Sequence, residues 1–293
     1  MLSYTFNEKH TVVIGNGYEP FSMDNLISTA SRCFLQSATS TQAYADSRKL
    51  GITWHVHLPH YYLATGFYTH NDVNTLGKEQ RNAWISTSRA VWHRTHPRNP
   101  HSLIQAGGAF SFSSREKNTD KASVGSISSD GVTTLFDMPI VEISIPHMGT
   151  EVKGLLELFC LTPRLLFQAE YYADRINRTG CRKAFRTHGG YALCGFLLKG
   201  RHFEYDVRSA VSGRPLSPQA LLLTARLDYM DANDPKAGIY GGRITNLTLG
   251  VSYYLNRYFG IKLNGSYVWT DQHCNDFYRK DLFLVQTRVQ YIF

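Results

Sequence analysis

The chain has no long apolar run. Hydrophobic residues make up 43% of its 293 positions, yet nothing approaches the ~20 consecutive apolar residues that a helical membrane span requires. The most apolar stretch, GLLELFCL at 154–161, is short and carries Glu157. Mean hydropathy is −0.28, so the apolar residues are dispersed. A helical membrane protein is thereby excluded. The five cysteines (33, 160, 181, 194 and 274) are widely spaced, with no Cys-x-x-Cys, and support neither a disulfide framework nor a zinc site. Net charge is +8, but no Lys/Arg-dense run stands out, which argues against a nucleic-acid partner. MLSYTFNEKH has no basic segment followed by an apolar one, so no signal peptide is expected here. No Ser-His-Asp order or Gly-rich phosphate loop points to an enzyme, and no motif demands a cofactor.

What the chain does contain is period two. In the last twelve residues, LFLVQTRVQYIF, one face of an extended strand carries Phe283, Val285, Thr287, Val289, Tyr291 and Phe293. Gln286, Arg288 and Gln290 take the other face. Further strands are expected at 11–15, 50–58, 61–70, 83–93, 103–113, 149–160, 164–175, 189–198, 219–230, 243–256 and 258–269, about twelve in all, with no convincing amphipathic helix. In most of them the second face is polar, as in Thr53/His55/His57, Gln168/Glu170, Thr224/Arg226/Asp228 and Lys262/Asn264/Ser266.

The connections alternate in length. Pro59-His60, 94–102, 161–163 and Asn256-Arg257 are short, whereas 71–82, 114–148, 176–188, 231–242 and 270–281 are long and polar. The 199–218 connection breaks the pattern and is expected to add structure at the short-turn end. Short turns at one end and long loops at the other are the signature of an up-and-down membrane barrel, with a polar lumen and an apolar exterior. The 34 Tyr and Phe residues suit its aromatic girdles, and Phe293 would lie at the membrane interface. The competing readings are a soluble β-sandwich that binds carbohydrate through its aromatics, and an outer-membrane β-barrel enzyme. The first predicts solubility without detergent. The second requires a nucleophile and a His on one outward strand face.

Several stretches carry a family resemblance. IGNGYEPFSMDNLISTASRCFLQSA is similar to a Gly-x-x-x-x-Pro-Phe motif that continues through Thr-Ser-Ser to Phe-Met-Glu-Arg. DSRKLGITW, FQAEYYADRI, ALLLTARLDYMD, TLGVSYYLNR and TRVQYIF follow in the matching order. Together they resemble the phosphate-selective porin O/P family of Gram-negative outer membranes. The resemblance implies an all-β, antiparallel transmembrane barrel of about sixteen strands, usually a homotrimer, sitting in outer-membrane lipid and passing small anionic solutes. It implies an inward-folded constriction loop, for which 18–49 is the candidate. It also implies that LSYTF aligns near the end of the fourth strand, so that residues 1–293, one barrel domain, are the C-terminal three-quarters of the family barrel. This chain departs from the pattern at Phe34-Leu35-Gln36-Ser37 and at Ala30, where a Lys often stands. A weakly anion-favouring diffusion pore is therefore expected instead of strict phosphate selectivity.

A porin acts through electrostatics in a water-filled constriction, where cationic side chains replace part of an anion's hydration. Strand parity places Arg89, Arg226, Lys262 and Arg288 on the lumen side, and Arg32 lies in the candidate constriction loop. Each has an alternative as partner of a nearby carboxylate, Arg226 beside Asp228 being the clearest. Glu157 and Glu170 form a carboxylate pair only if their strands pair in register; otherwise they are counter-charges to arginine. His55, His57 and His60 are better read as lumen polarity than as a metal site, since no matching Cys or carboxylate lies nearby in sequence.

Overall fold

In the computed structural model, residues 1–45, 48–69, 84–114, 125–134, 139–215, 217–274 and 281–292 are described. His70, Ala83 and Phe293 at expected strand ends, the 71–82 connection, and parts of 114–148 and 270–281 lie outside them. Along the chain run β1 (Leu2–Asn7), β2 (His10–Gly17), two short helices α1 (Met23–Leu26) and α2 (Thr39–Tyr44), β3 (Lys49–His57), β4 (Tyr61–Thr69), β5 (Trp84–His96) and β6 (Asn99–Ser114). Then come β7 (Gly125–Ser129), β8 (Val141–Ile145), β9 (Met148–Leu161), β10 (Leu165–Arg178), β11 (Phe185–Lys199), β12 (Phe203–Asp206) and β13 (Val211–Pro215). The chain closes with β14 (Ala220–Asp234), β15 (Ile239–Tyr254), β16 (Phe259–Thr270) and β17 (Leu282–Tyr291).

Thirteen strands form one antiparallel sheet in the order β1-β2-β3-β4-β5-β6-β9-β10-β11-β14-β15-β16-β17. β7–β8 and β12–β13 are separate hairpins. With those set aside, every neighbour in the sheet is a neighbour in sequence, the meander of a barrel wall. β1 and β17 are its two edges. The short turns are set by side chains that capture backbone N–H groups. Asn256 Oδ1 accepts from the N–H of Tyr258 and Phe259, each at 2.8 Å. Thr162 Oγ1 accepts from Leu165 N–H at 2.8 Å, and Asn7 Oδ1 from Lys9 and His10 N–H at 2.9 Å.

The faces are inverted relative to a water-soluble protein. In β17, Phe283, Val285, Val289 and Tyr291 are 61–70% exposed, while Gln286, Arg288 and Gln290 are half-buried. Leu156, Leu249, Phe110 and Leu227 likewise point out. Arg89, Glu157, Gln168, Glu170, Arg226, Asp228, Asn246 and Lys262 are buried. In water each outward Leu or Phe would forgo roughly 1.5–3 kcal/mol of burial energy. In hydrocarbon the same face is at home.

The structure departs from the sequence expectation in four places. The wall has one strand more than the dozen read from periodicity, because β1 is a six-residue ladder at the chain's start and too short to stand out. Two short helices interrupt the 18–45 segment, and helices of four and six residues are too short to show a period. The connections expected at 176–188 and 231–242 shrink to 179–184 and 235–238. There the polar residues continue the ladder instead of leaving it: Arg243 binds Asp231 at 2.8 Å, and Asn233 donates to Asp271 at 2.9 Å. Finally, 141–145 pairs with 125–129 as a hairpin inside the 114–148 connection.

Candidate functional site

The inner face mixes charged residues with buried apolar ones such as Phe159, Leu222 and Met230, and three pieces of chain pack against it. One is the β7–β8 hairpin, whose Ser129 donates to Thr39 O at 3.1 Å and whose Ile143 packs beside Gly241 of β15. The largest is 18–45. Its polarity follows from backbone chemistry: helix starts expose N–H groups, and irregular turns expose carbonyls. The wall matches each with the opposite charge. At α1, Ser22 caps the helix by accepting from Asn25 N–H at 3.3 Å. The carboxylate of Glu170 accepts Met23 N–H at 2.7 Å, Ser22 Oγ–H at 2.9 Å, Tyr172 O–H at 2.9 Å and Tyr191 O–H at 2.6 Å. At α2, both oxygens of Asp228 accept Thr39 N–H at 3.1 Å.

Wall cations take the carbonyls. Arg226 donates to Gln36 O at 3.0 Å and Ser37 O at 3.4 Å, lies 3.2 Å from Asp228, and stands 4.7 Å over the Phe34 ring. Lys262 donates to Arg32 O at 2.6 Å, and Arg288 to Leu35 O at 3.1 Å. Lys153 donates to Tyr44 O at 2.9 Å. Arg32 folds back on its own segment, donating to Asp24 O at 2.9 Å and lying 3.5 Å from the Asp24 carboxylate. That carboxylate in turn accepts Ala38 N–H at 2.8 Å.

The root of the segment is pinned by Glu19, which pairs with Lys49, accepts from Thr87, and receives a weaker bond from Ser111 at 3.3 Å. Burial alone would raise its carboxyl, but the positive charges of Lys49 and Lys153 and these hydrogen bonds outweigh burial and draw it down to about 2. Cys33 is buried in the same segment, and loss of solvent pushes its thiol up to about 11.

The third inserted piece is the β12–β13 hairpin, which rises from the short-turn end. Arg89 forms a two-pronged pair with Glu157 at 2.8 and 3.0 Å and also donates to the carbonyls of Ser209 at 2.8 Å and Ala210 at 2.9 Å. Tyr205 O–H donates to Gln105 at 2.6 Å.

Of the five cations singled out from sequence, Arg226, Lys262, Arg288 and Arg32 therefore meet on the 18–45 segment, and Arg89 stands apart at the hairpin. Glu157 and Glu170 are register partners across β9 and β10, which satisfies the stated condition for a pair. Both are occupied, Glu157 by Arg89 and Glu170 by the helix start. His55 Nδ1 lies 2.9 Å from Tyr62 Oη, and the parallel rings of His55 and His57 are 6.4 Å apart. Among the described residues no group of three potential metal ligands assembles. Sequence reading missed Glu19, Asp24, Lys153, Tyr172 and Tyr191. Parity alone would have turned Lys153, Tyr172 and Tyr191 inward, but nothing local marks the segment each one meets.

The family model of phosphate-selective porins O and P matches residues 1–92 and 147–293. The chain belongs to that family, a class of outer-membrane β-barrels. It is a transmembrane β-barrel protein of the Gram-negative outer membrane. An uncharacterized protein of Caulobacter vibrioides (strain ATCC 19089 / CIP 103742 / CB 15) is 27% identical over 256 residues, 79% of this chain and 48% of that one. The chain thus spans about half the length of this relative. Among solved structures, outer-membrane expressed OmpT of Vibrio cholerae shares the fold, with TM-score 0.54 at 10% identity over 98% of this chain and 78% of that one. The in-vitro folded trimer form of that protein matches with TM-score 0.54 at 11% identity over 97% and 77%.

Proposed function

We propose that this chain forms the wall and constriction of a porin, a non-enzymatic channel for passive diffusion of small solutes that favours anions. The observation that carries this reading is the inverted wall: its outward side chains are apolar, while its inward ones include the charged and hydrogen-bonding groups beside buried apolar ones such as Phe159 and Leu222. We read 18–45, packed against that inner face, as the constriction loop. Anion preference is supported by the cations at the β14–β17 side of the interior. Arg32, Arg226, Lys262 and Arg288 gather there, and among the described residues their ion pairs are Arg32 with Asp24 and Arg226 with Asp228. Gln36 and Ser37 contribute carbonyls and no side-chain charge, which fits a general anion-favouring pore better than strict phosphate selectivity. A homotrimer in outer-membrane lipid is the assembly we infer, in keeping with the trimer form of the structural relative.

The test is planar-bilayer conductance of the full-length gene product, with reversal potential read across a salt gradient. An anion-selective reversal potential is expected, and cation selectivity would reject the assignment. Arg226→Ala and Arg288→Ala should each reduce anion preference. Reversal potentials unchanged in both would confine these residues to holding the loop. Protein that stays soluble after detergent removal would sink the barrel reading itself.

A further inference from the structure

On the outer face, near the long-loop end, two arginines stand directly opposite each other. Arg175 of β10 and Arg186 of β11 are cross-strand partners, and both are exposed. Like charges so placed repel, because their Cβ atoms lie only about 5 Å apart. The sheet supplies a carboxylate to a nearby exposed arginine, Arg243, through Asp231. Among the described residues it pairs no carboxylate with the guanidinium of Arg175 or Arg186; the Asp234 carboxylate accepts the backbone N–H of Arg186 at 2.9 Å and is itself buried. Arg182 and Lys183 of the adjoining loop are also exposed, which adds positive charge to the same corner.

The height of this pair is informative. Below Arg175 on the same face of β10 lie Ala173, Tyr171, Ala169, Phe167 and Leu165. Ten residues separate Leu165 from Arg175, about 34 Å of strand, or roughly 25 Å along the membrane normal at a barrel's tilt. That is the height of the apolar band, so the arginines sit at its upper border. Just beneath them, His188 lies between Tyr171 and Tyr229, with ring centroids 6.1 and 5.9 Å apart, as an interfacial girdle. Long loops mark the extracellular end of such barrels. The opposed pair therefore faces the headgroup layer of the outer leaflet.

We propose that Arg175 and Arg186, aided by Arg182 and Lys183, form a binding site for the phosphate of an outer-leaflet glycolipid. Two guanidinium forks side by side offer a phosphate oxyanion several charge-assisted bonds, and the bound anion removes their mutual repulsion. The site lies on the opposite face of the wall from the pore cations. It rests on the membrane placement and is independent of which solute the pore passes.

Binding of diphosphorylated lipid A to the full-length protein in neutral detergent, followed by native mass spectrometry and thermal melting, tests the assignment. R175Q/R186Q should weaken binding about tenfold or more and abolish the melting shift caused by the lipid. R164Q, at the opposite membrane border, should leave both unchanged, and dephosphorylated lipid A should not distinguish parent from variant. Equal binding of diphosphorylated lipid A by parent and R175Q/R186Q overturns the proposal. So does an equal melting shift from inorganic phosphate alone, which would make the ligand a free anion. Without lipid, the double variant should melt no lower than the parent, because it loses only a repulsive contact. A lower lipid-free midpoint would mark the pair as structural and also overturn the proposal.

Discussion

Glu19 shows how one carboxylate fixes a loop. Its folded-state pKa of about 2 lies below the ordinary value of 4.5, so its ionised form is the one the structure favours. The stabilisation is therefore fully present above pH 4.5 and is lost as pH falls through about 2. Glu19→Gln should lower the melting temperature at neutral pH, because Lys49 then loses its carboxylate. The gap between parent and variant should close as pH drops from 4.5 toward 2, measured by thermal melting in detergent; a gap independent of pH would deny Glu19 this role. Cysteine chemistry offers a second readout at this scale. Cys33 is buried under the loop with its thiol raised, so it should resist maleimide at pH 7 while exposed Cys181 labels readily. Arg226→Ala should speed Cys33 labelling by loosening the carbonyls of Gln36 and Ser37. Equal rates in parent and variant would mean that the loop does not depend on that clamp.

At the scale of elements, two of the three insertions illustrate different anchors. The start of α1 is docked on Glu170, which accepts hydrogen bonds from Ser22, Met23 and Asp24 of the segment and from Tyr172 and Tyr191 of the wall. Glu170→Gln replaces an acceptor oxygen facing Met23 N–H and the hydroxyls with an amide donor, and should cost about 2 kcal/mol. Its signature should be faster proteolysis within 18–45 and a higher single-channel conductance, with the wall intact by circular dichroism. The β12–β13 hairpin hangs on Arg89. Arg89→Ala leaves Glu157 buried without its cation and should cost about 3–5 kcal/mol, read from urea unfolding by gel mobility. If the hairpin were held by Tyr205 alone, the variant would unfold near the parent's midpoint. Little of this pairing was legible in the sequence. Arg226 and Asp228 lie two residues apart, and their contact could be read directly. The carbonyl that Arg288 clamps, Leu35, is 253 positions away. No periodicity reports such a contact, because it depends on where an irregular segment lands.

For the whole molecule, the governing fact is a sheet with two edges, β1 and β17, in a solvent that satisfies no backbone group. Open edges are not tolerated in hydrocarbon. In the bilayer both edges should therefore be paired, and amides of 2–7 and 282–291 should exchange as slowly as those of central strands such as β10. Fast exchange at either edge would show the wall to be open there. The protein should also require detergent and shift its gel mobility on boiling, as the inverted faces demand.

The alternation of LFLVQTRVQY was enough to determine a strand with one apolar and one polar face, and its repetition between short and long connections favoured a membrane meander over a soluble sandwich. Parity also told which side Arg89, Arg226, Lys262 and Arg288 would face, since side-chain direction in a strand is local geometry. Only the tertiary structure decided what those cations meet. The segment 18–45 has no period, and its backbone polarity acquires meaning only when α1 and α2 present N–H groups to Glu170 and Asp228 and its turns present carbonyls to Arg226, Lys262 and Arg288. Faces are set by neighbours in sequence; the contents of the interior are set by contacts between residues far apart in the chain.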